Sequence, residues 1–507
     1  MSQTATTLPP SSKRQIALTA LVDQGQHGVI AELARSYEVH RQVIYDLRDR
    51  ADTALTATFE VQPDPPVACI DIAEADLKRA AIALRVVAPV SVRDIGELFP
   101  VLFGVTWSTG KIQGVLDEAN TRAVEQLKVV DLSGVETIAL DEVFSLGRPL
   151  FSGLDLDSGY LFALESTDSR SKDDWLATLT ALQDAQGLCP GAVVKDSGAG
   201  MAGAVSALWP DAEQRDDCFH AVWEAGKLYR RLETAAYKAI ARVDALLEQR
   251  TALLDASSTD RRRLGQHLRQ ARAQMDRRIA RFDRYTVLTG HLRDLLKVCI
   301  RGRGRLQERV CVEKGLVWVG AALFTLGTKA CQALGKYIAN RAAGLASYLD
   351  ALSTGLQATV TADSQAGVDA MVRCWQASLE VQQGGPKWDR VARRAESEAS
   401  VAALLKETGG DPARLEMLAR GVLPVLAARH RASSALECVH SVLRPYLHVQ
   451  KGAHEGFLGL FRYYWNTRKR QWGRHKGTSA LEVLTGEKVG DWLTRLGYPP
   501  SEAFTTH

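Results

Sequence analysis

The sequence predicts an α/β core split by a large all-α insertion and preceded by N-terminal helical units of helix-turn-helix type. Three observations carry this expectation. Short β-prone runs cluster between 135 and 196 around one amphipathic helix. From 220 to 429 apolar residues recur at three-four spacing, and no β-alternation interrupts them. Ahead of the strands, short helices alternate with short turns.

At 507 residues the chain exceeds a single core, and its 46% hydrophobic and 24% charged residues describe an ordinary globular protein. A formal charge of +4 and a pI near 8.5 are only mildly basic, so the distribution of charge matters more than its sum. The eight cysteines include no Cys-x-x-Cys pair, which fits a reducing compartment. The first twelve residues are polar and lack the apolar core of a signal peptide. The longest apolar run, 315–327, is shorter than the roughly 20 residues a bilayer crossing needs. A soluble cytoplasmic protein is expected.

In chain order, the pattern predicts helices over 13–22, 29–37 and 40–48, a trio with helix-turn-helix spacing. His40, Arg41 and Gln42 then open the helix that would enter a major groove. A small protein-contact bundle is the plainer reading of the same trio. The prolines of 62–67 predict a stiff linker, and Cys69 follows it. A second helical unit spans 74–128, with a possible further helix-turn-helix whose groove-facing residues are Ser108, Thr109 and Lys111. Its connecting loop, placed around 100–106, is long for the motif.

The run 135–140 is β-prone and leads into Asp141-Glu142. Two short strands follow, joined at Asp157-Ser158-Gly159, then a helix over 172–183 carrying Trp175, Leu176, Leu179 and Leu182 on one face. A fourth strand, 192–196, delivers Asp196 into the loop that opens with Ser197. Helices are then expected over 223–254, 260–282, 286–298, 316–352 with glycine interruptions, 368–381 and 390–407. They carry the most basic stretch of the chain, including Arg262, Arg269, Arg277, Arg301, Arg303 and Arg305. Such a run is usually a solvated face, but its one-sidedness suits phosphate neutralisation. A second patch, with Arg462, Arg468, Arg470 and Arg474, is interleaved with Tyr463, Tyr464, Trp465 and Trp472, which are expected mostly to fill core.

Strand, strand, strand, helix, strand, with acids at the ends of the first and fourth strands, resembles the RNase H-like catalytic core of DDE transposases and retroviral integrases. Asp217-Cys218-Phe219-His220 is similar to the Cys/Asp-x-x-His signature of hAT, Mutator-like and several insertion-sequence transposases. The segment from Ser433 through Glu437 and His440 to Tyr446 resembles the helix bearing the third acid, with His440 where many bacterial relatives have Asn. Tyr464-Trp465-Asn466-Thr467-Arg468 and the run 477–486 resemble the closing motifs of insertion-sequence transposases, with Ala480 where Pro is usual. In several such enzymes an all-α insertion separates the second and third acids.

The resemblance implies catalytic and metal-holding roles for Asp141, Asp196 and Glu437, with Glu142, Asp217 and His220 in support and Ser441 and Arg444 on the Glu437 face. Phosphodiester chemistry needs a nucleophilic oxygen activated and a leaving oxygen stabilised on opposite sides of one phosphorus. Two Mg²⁺ (or Mn²⁺) ions about 3.5 to 4 Å apart do both, and Mg²⁺ prefers carboxylate ligands. Each acid also has a plain reading. Asp141 and Glu142 could be solvent acids, Asp196 could open a turn, and Glu437 stands at capping-box distance from Ser434. Glu455 is a weaker third acid. The pairs Cys218 with His220 and Cys438 with His440 are spaced too tightly for a usual structural zinc site.

The expectation is a DNA transposase. Segments 1–62 and 67–132 bind DNA, 133–232 and 429–507 form the two parts of an RNase H-like core, and 233–428 is the insertion. Arg444, Arg468 and Arg470 join the DNA-binding residues. Partners are terminal inverted repeats and target DNA, held by a homodimer or larger assembly in the nucleoid. Alternatives are a transposase-derived regulator without chemistry, and a nuclease or resolvase that cuts without joining.

Overall fold

Three-four apolar spacing folds the N-terminal segment into α1 (Pro10–Val22), α2 (Val29–Ser36) and α3 (Arg41–Phe59) around Ile16, Ala20, Ala34, Val39 and Ile44. In this computed structural model the described residues are 8–59, 72–196, 198–252, 257–300, 304–383, 387–449 and 455–501. The linker at 62–67, Cys69, Ser197, Arg301, Arg303 and the side chain of Glu455 lie outside them. The helical trio belongs to a unit of its own, Met1–Asp71. Its third helix continues well past the expected 48, because 49–59 holds no Gly or Pro to stop it.

The second unit, Ile72–His507, takes in 133–232, 233–428, 429–507 and all of 67–132 from residue 72 onward. It opens with α4 (Glu74–Val86), α5 (Val92–Phe103) and α6 (Thr109–Lys128). Pro100 lies inside the end of α5, so the connection to α6 is only 104–108, shorter than expected. These helices bury Ile82, Phe99, Ile112 and Leu116 in one core with Ile138, Leu140, Phe151 and Val193 of the sheet. They are packed against the sheet, not strung ahead of it.

The sheet contains β1 (Thr137–Ser145), β2 (Arg148–Asp155), β3 (Leu161–Ser166), β4 (Ala192–Lys195) and β5 (Glu213–Asp216) in the order β3-β2-β1-β4-β5. β1, β2 and β3 are antiparallel neighbours, whereas β4 and β5 continue from β1 in parallel through the crossover helices α7 (Lys172–Gln186) and α8 (Ala199–Leu208). An α/β core joined to extensive helical regions is thus the observed architecture.

The long helical stretch begins with a hairpin of α9 (Cys218–Ala252) and α10 (Ser258–Leu295). No breaker interrupts 283–285, so the two helices expected over 260–298 are one. Then come α11 (Arg309–Phe324), α12 (Lys329–Asn340), α13 (Ala342–Ala346), α14 (Tyr348–Ala362), α15 (Gln365–Val381), α16 (Lys387–Thr408) and α17 (Pro412–Ala427) around a separate apolar core. Two of the glycines interrupting 316–352, Gly320 and Gly335, have a packing cause. A Cβ on Gly320 would lie 2.6 Å from the Gly335 carbonyl, so α11 and α12 cross backbone to backbone there.

The chain then returns to the sheet. α18 (Ser434–Val449) lays Leu436, Val439 and Leu443 on Ala139, Val143, Leu150 and Leu154. α19 (Glu455–Thr467) covers β3, where Asn466 accepts from Leu161 N (2.8 Å) and donates to Leu161 O (3.0 Å), satisfying the backbone of the first residue of this edge strand. α20 (Ala480–Thr485) and α21 (Trp492–Arg495) end the fold. Among the described residues no helix is long and apolar enough to cross a membrane.

Candidate active site

Strand register lines up the acids. Leu140 of β1 lies beside Lys195 of β4, which lies beside Asp216 of β5, and the next residue on each strand is Asp141, Asp196 or Asp217. Three carboxylates therefore share one edge of the parallel strands. The expectation that the first strand stops at Asp141 is corrected: β1 leaves β4 there but continues to Ser145 against β2, setting Asp141 opposite Ser152. Burial of Val143 under α18 holds this extension down.

Alternation sends the neighbouring acids to opposite faces. Asp141 shares the α18 face with Ala139 and Val143. Glu142 shares the other face, where its carboxylate accepts from Trp175 Nε1 (3.0 Å) and pairs with Arg170 (3.3 Å). Trp175 in turn stacks on Phe151. Burial pushes the Glu142 carboxyl up, opposed by the Trp175 hydrogen bond and Arg170. Glu142 thus braces the helix α7 side of the sheet and does not face Asp141.

The third acid arrives from the far end of the chain. Because α18 seats its apolar stripe on β1 and β2, the residues on the side of α18 nearest the strand ends, Glu437 and His440, come over Asp141 one turn apart. Ligand atoms of Asp141, Glu437 and His440 all lie within 4.8 Å of one another. The Glu437 carboxylate accepts from Arg444 (3.0 Å), one of its expected face-mates. It does not close a capping box: the residue ahead of α18 is Ser433, whose hydroxyl donates to Asp217 (2.6 Å). Asp196 accepts from Gly198 N (2.8 Å), the turn-opening bond of the plain reading, and is close enough to Asp141 to act on its charge.

The acids at these strand ends act on one another. Burial pushes the Asp141 carboxyl up to about 7; Asp196, Glu437 and Asp217 add to the rise, against one hydrogen bond from Glu142 N. Carboxylates crowded at a half-buried edge repel one another until a cation joins them, and an oxygen-rich donor set suits a hard divalent ion. The residues present fit such an ion. Among the described residues the Cys-His pairs form no comparable group: Cys218 is buried against Leu345 O and Cys438 is exposed.

Asp217 and His220 part company. Asp217, only 2% exposed, accepts from Phe219 N (2.7 Å) and Ser433 Oγ, so it caps α9 and ties it to the start of α18. His220 points elsewhere, 3.8 Å from Glu224 and against the ring of Tyr337 on α12.

Of the residues expected at DNA, His40, Arg41 and Gln42 are exposed in the first turn of α3, with His40 Nδ1 accepting from Gln42 N (3.3 Å). Ser108 caps α6 through Lys111 N (3.2 Å), Lys111 pairs with Glu74 (3.1 Å) over the Trp107 ring, and Thr109 is exposed. Arg262, Arg269, Arg277 and Arg284 are exposed on α10 at intervals of seven or eight residues, opposite its packed face of Leu264, Leu268 and Ala271. Arg278 and Arg281, from the same basic stretch, instead donate to the carbonyls of Ala235 and Leu326. Arg468 stacks over Trp465, and Arg470 donates to Ser158 O (2.5 Å) at the β2–β3 turn. Tyr463 is core as expected, whereas Trp472 is exposed.

Sequence reasoning passed over Ser152, whose hydroxyl donates to Asp141 O (2.9 Å) and contacts His440 Nε2 (2.8 Å). The available signal was a hydroxyl on the buried face of an otherwise apolar strand. No protein-family model matches the chain, and no curated protein shows significant similarity to it.

Proposed function

We propose that the protein is a divalent-metal-dependent polynucleotidyl transferase of the DDE type, a transposase that cuts DNA ends and joins them to a target. The observation that carries the reading is the placing of Glu437 over Asp141, with Asp196 on the neighbouring strand end near enough to act on the Asp141 charge, at one end of the parallel strands of a mixed β3-β2-β1-β4-β5 sheet and with an all-α region between the second and third acids. That arrangement and the strand order both support the RNase H-like reading.

Asp141, Asp196 and Glu437 would hold the ions. Bound there, divalent ions activate the attacking oxygen and stabilise the leaving oxygen of a phosphodiester. Asp141 is held by the β1–β2 ladder and Glu437 by Arg444, so the carboxylates converge before substrate arrives. Asp217 acts through α9 and α18, fixing the helix that carries Glu437. The exposed arginines of α10 and the first turn of α3 are the surfaces for DNA, through phosphate contacts and groove contacts respectively.

The test is to incubate the purified protein and Asp196→Asn with DNA carrying the gene's flanking sequences and a target plasmid, with and without Mg²⁺ or Mn²⁺. Metal-dependent cleavage and joined products, lost in the variant, are expected. Cleavage without joining would make it a nuclease. Sequence-specific binding with no strand breakage in either protein would overturn the enzymatic reading.

A further inference from the structure

His440 is not part of the acid triad, yet it is the most deeply placed polar group of the cluster, 1% exposed. Its two ring nitrogens have different surroundings. Nε2 meets the Ser152 hydroxyl at 2.8 Å, and that hydroxyl also contacts the Asp141 carbonyl at 2.9 Å. A serine hydroxyl has one proton to donate, and a carbonyl can only accept. With the serine proton on Asp141 O, the Nε2 contact is satisfied only if Nε2 carries the imidazole proton.

Nδ1 is then left with its lone pair, and it faces Asp141 Oδ2 at 3.7 Å. That separation is too long for a hydrogen bond. Two electron-pair donors thus face each other with space between them, and Glu437 borders the same space. Donors bonded to one ion at about 2.1 Å lie roughly 3 to 4 Å apart, depending on the angle between them. A ring N–H held by a fixed acceptor is also how a metal-ligating histidine is oriented.

We infer that His440 is itself a metal ligand, binding a divalent ion through Nδ1 together with Asp141 and Glu437, and that its nitrogen tilts this site toward Mn²⁺ and similar transition ions over Mg²⁺. Ser152 is the positioning residue that fixes the tautomer. The inference rests on the acid-site reading but concerns a ligand outside the triad. Imidazole is a better donor for transition ions than for Mg²⁺, so the effect is one of selectivity as well as affinity.

The experiment is Mn²⁺ titration of the full-length protein, followed by electron paramagnetic resonance. Loss of the free-ion signal gives affinity, and electron spin-echo modulation reports nitrogen bound directly to the ion. The wild-type protein is expected to show ¹⁴N coupling. His440→Asn is expected to retain bound Mn²⁺ without it, with Mn²⁺ affinity lowered about tenfold or more and Mg²⁺ competition changed less. Ser152→Ala leaves the imidazole in place but frees it to turn, and is expected to weaken the coupling even if His440→Asn folds poorly. Mn²⁺ bound without ¹⁴N coupling, or coupling that survives His440→Asn, would overturn the inference and leave the acid site standing. Binding that is absent, or indifferent to Asp141→Asn, would remove the acid site as well.

Discussion

The carboxylate edge and the α9–α10 hairpin both concentrate charge of one sign, and they do so by opposite means. At the edge a few acids are fixed by strand register, partly buried and mutually coupled. On α10 the exposed arginines stand about two turns apart along a solvated helix, each with room to hydrate. The first arrangement makes position decisive, because coupled charges at low dielectric act strongly over short distances. The second makes number decisive, because separate solvated cations contribute independently and are screened by salt. On the proposed reading, the first suits a small hard cation and the second an extended polyanion.

If that contrast is right, the largest effect comes from a single atom exchange at the edge. Asp141→Asn is expected to lower strand cleavage by on the order of 10³-fold or more. Its melting temperature in chelator should stay level or rise, because the substitution relieves repulsion among Asp141, Asp196 and Glu437. A marked fall in melting temperature would show Asp141 to be a structural acid. On α10, no single arginine is expected to matter much. Replacing Arg262, Arg269, Arg277 and Arg284 together should flatten the dependence of log affinity on log salt by about 0.9 for each phosphate that is no longer neutralised. Cleavage of saturated DNA should persist. An unchanged slope would return α10 to a plain solvated face.

Asp217 sharpens the comparison from inside the edge. It stands in register with Asp141 and Asp196 but is spent on Phe219 N and Ser433 Oγ. Asp217→Ala is expected to cost about 1 to 3 kcal/mol of stability by denaturant unfolding, since it removes a cap and strands a buried hydroxyl. Asp141→Asn should cost none. Equal destabilisation by both would erase the distinction between a structural and a functional acid.

How far these roles could be read ahead of the fold follows from the range of the interactions. Asp141, Asp196 and Glu437 were legible as candidates because strand ends and helix spacing are local patterns, and their order along the chain resembles a known plan. The opposite facing of Glu142 was also available, from alternation alone. The run of β1 on to Ser145 was not, because it depends on pairing with β2 and on cover from α18. Nor were the inward roles of Arg278, Arg281 and Arg470, whose acceptors lie at distant points of the chain. A basic stretch read from sequence contains both kinds of arginine, and only packing separates them. The same holds for 74–128, whose helices were legible one by one while their shared core with the sheet was not.

Glu482 supplies the control that the edge lacks. It follows the N-cap Ser479 of α20, and its carboxylate accepts from Ser479 N (2.7 Å), Val489 N (2.8 Å) and Lys469. Burial alone would push it up, but those donors outweigh burial and hold it down at about 2, the reverse of Asp141. A folded value below the unfolded one means that the ionised group stabilises the fold above the ordinary carboxyl range, about 4.5, and that this contribution is lost as pH falls toward 2. Glu482→Gln keeps the side-chain shape but removes the charge and turns one of the two accepting oxygens into a donor, so it should cost about 1 to 3 kcal/mol at neutral pH. The difference from wild type should close between about pH 4.5 and pH 2 in parallel unfolding curves. For Asp141, raised instead of lowered, the sign is reversed: ionisation opposes folding above about pH 4, and Asp141→Asn should gain on wild type as pH rises toward 7 in the absence of metal. Two carboxylates that moved together with pH would mean the edge is satisfied by the protein alone, with no place left for a cation.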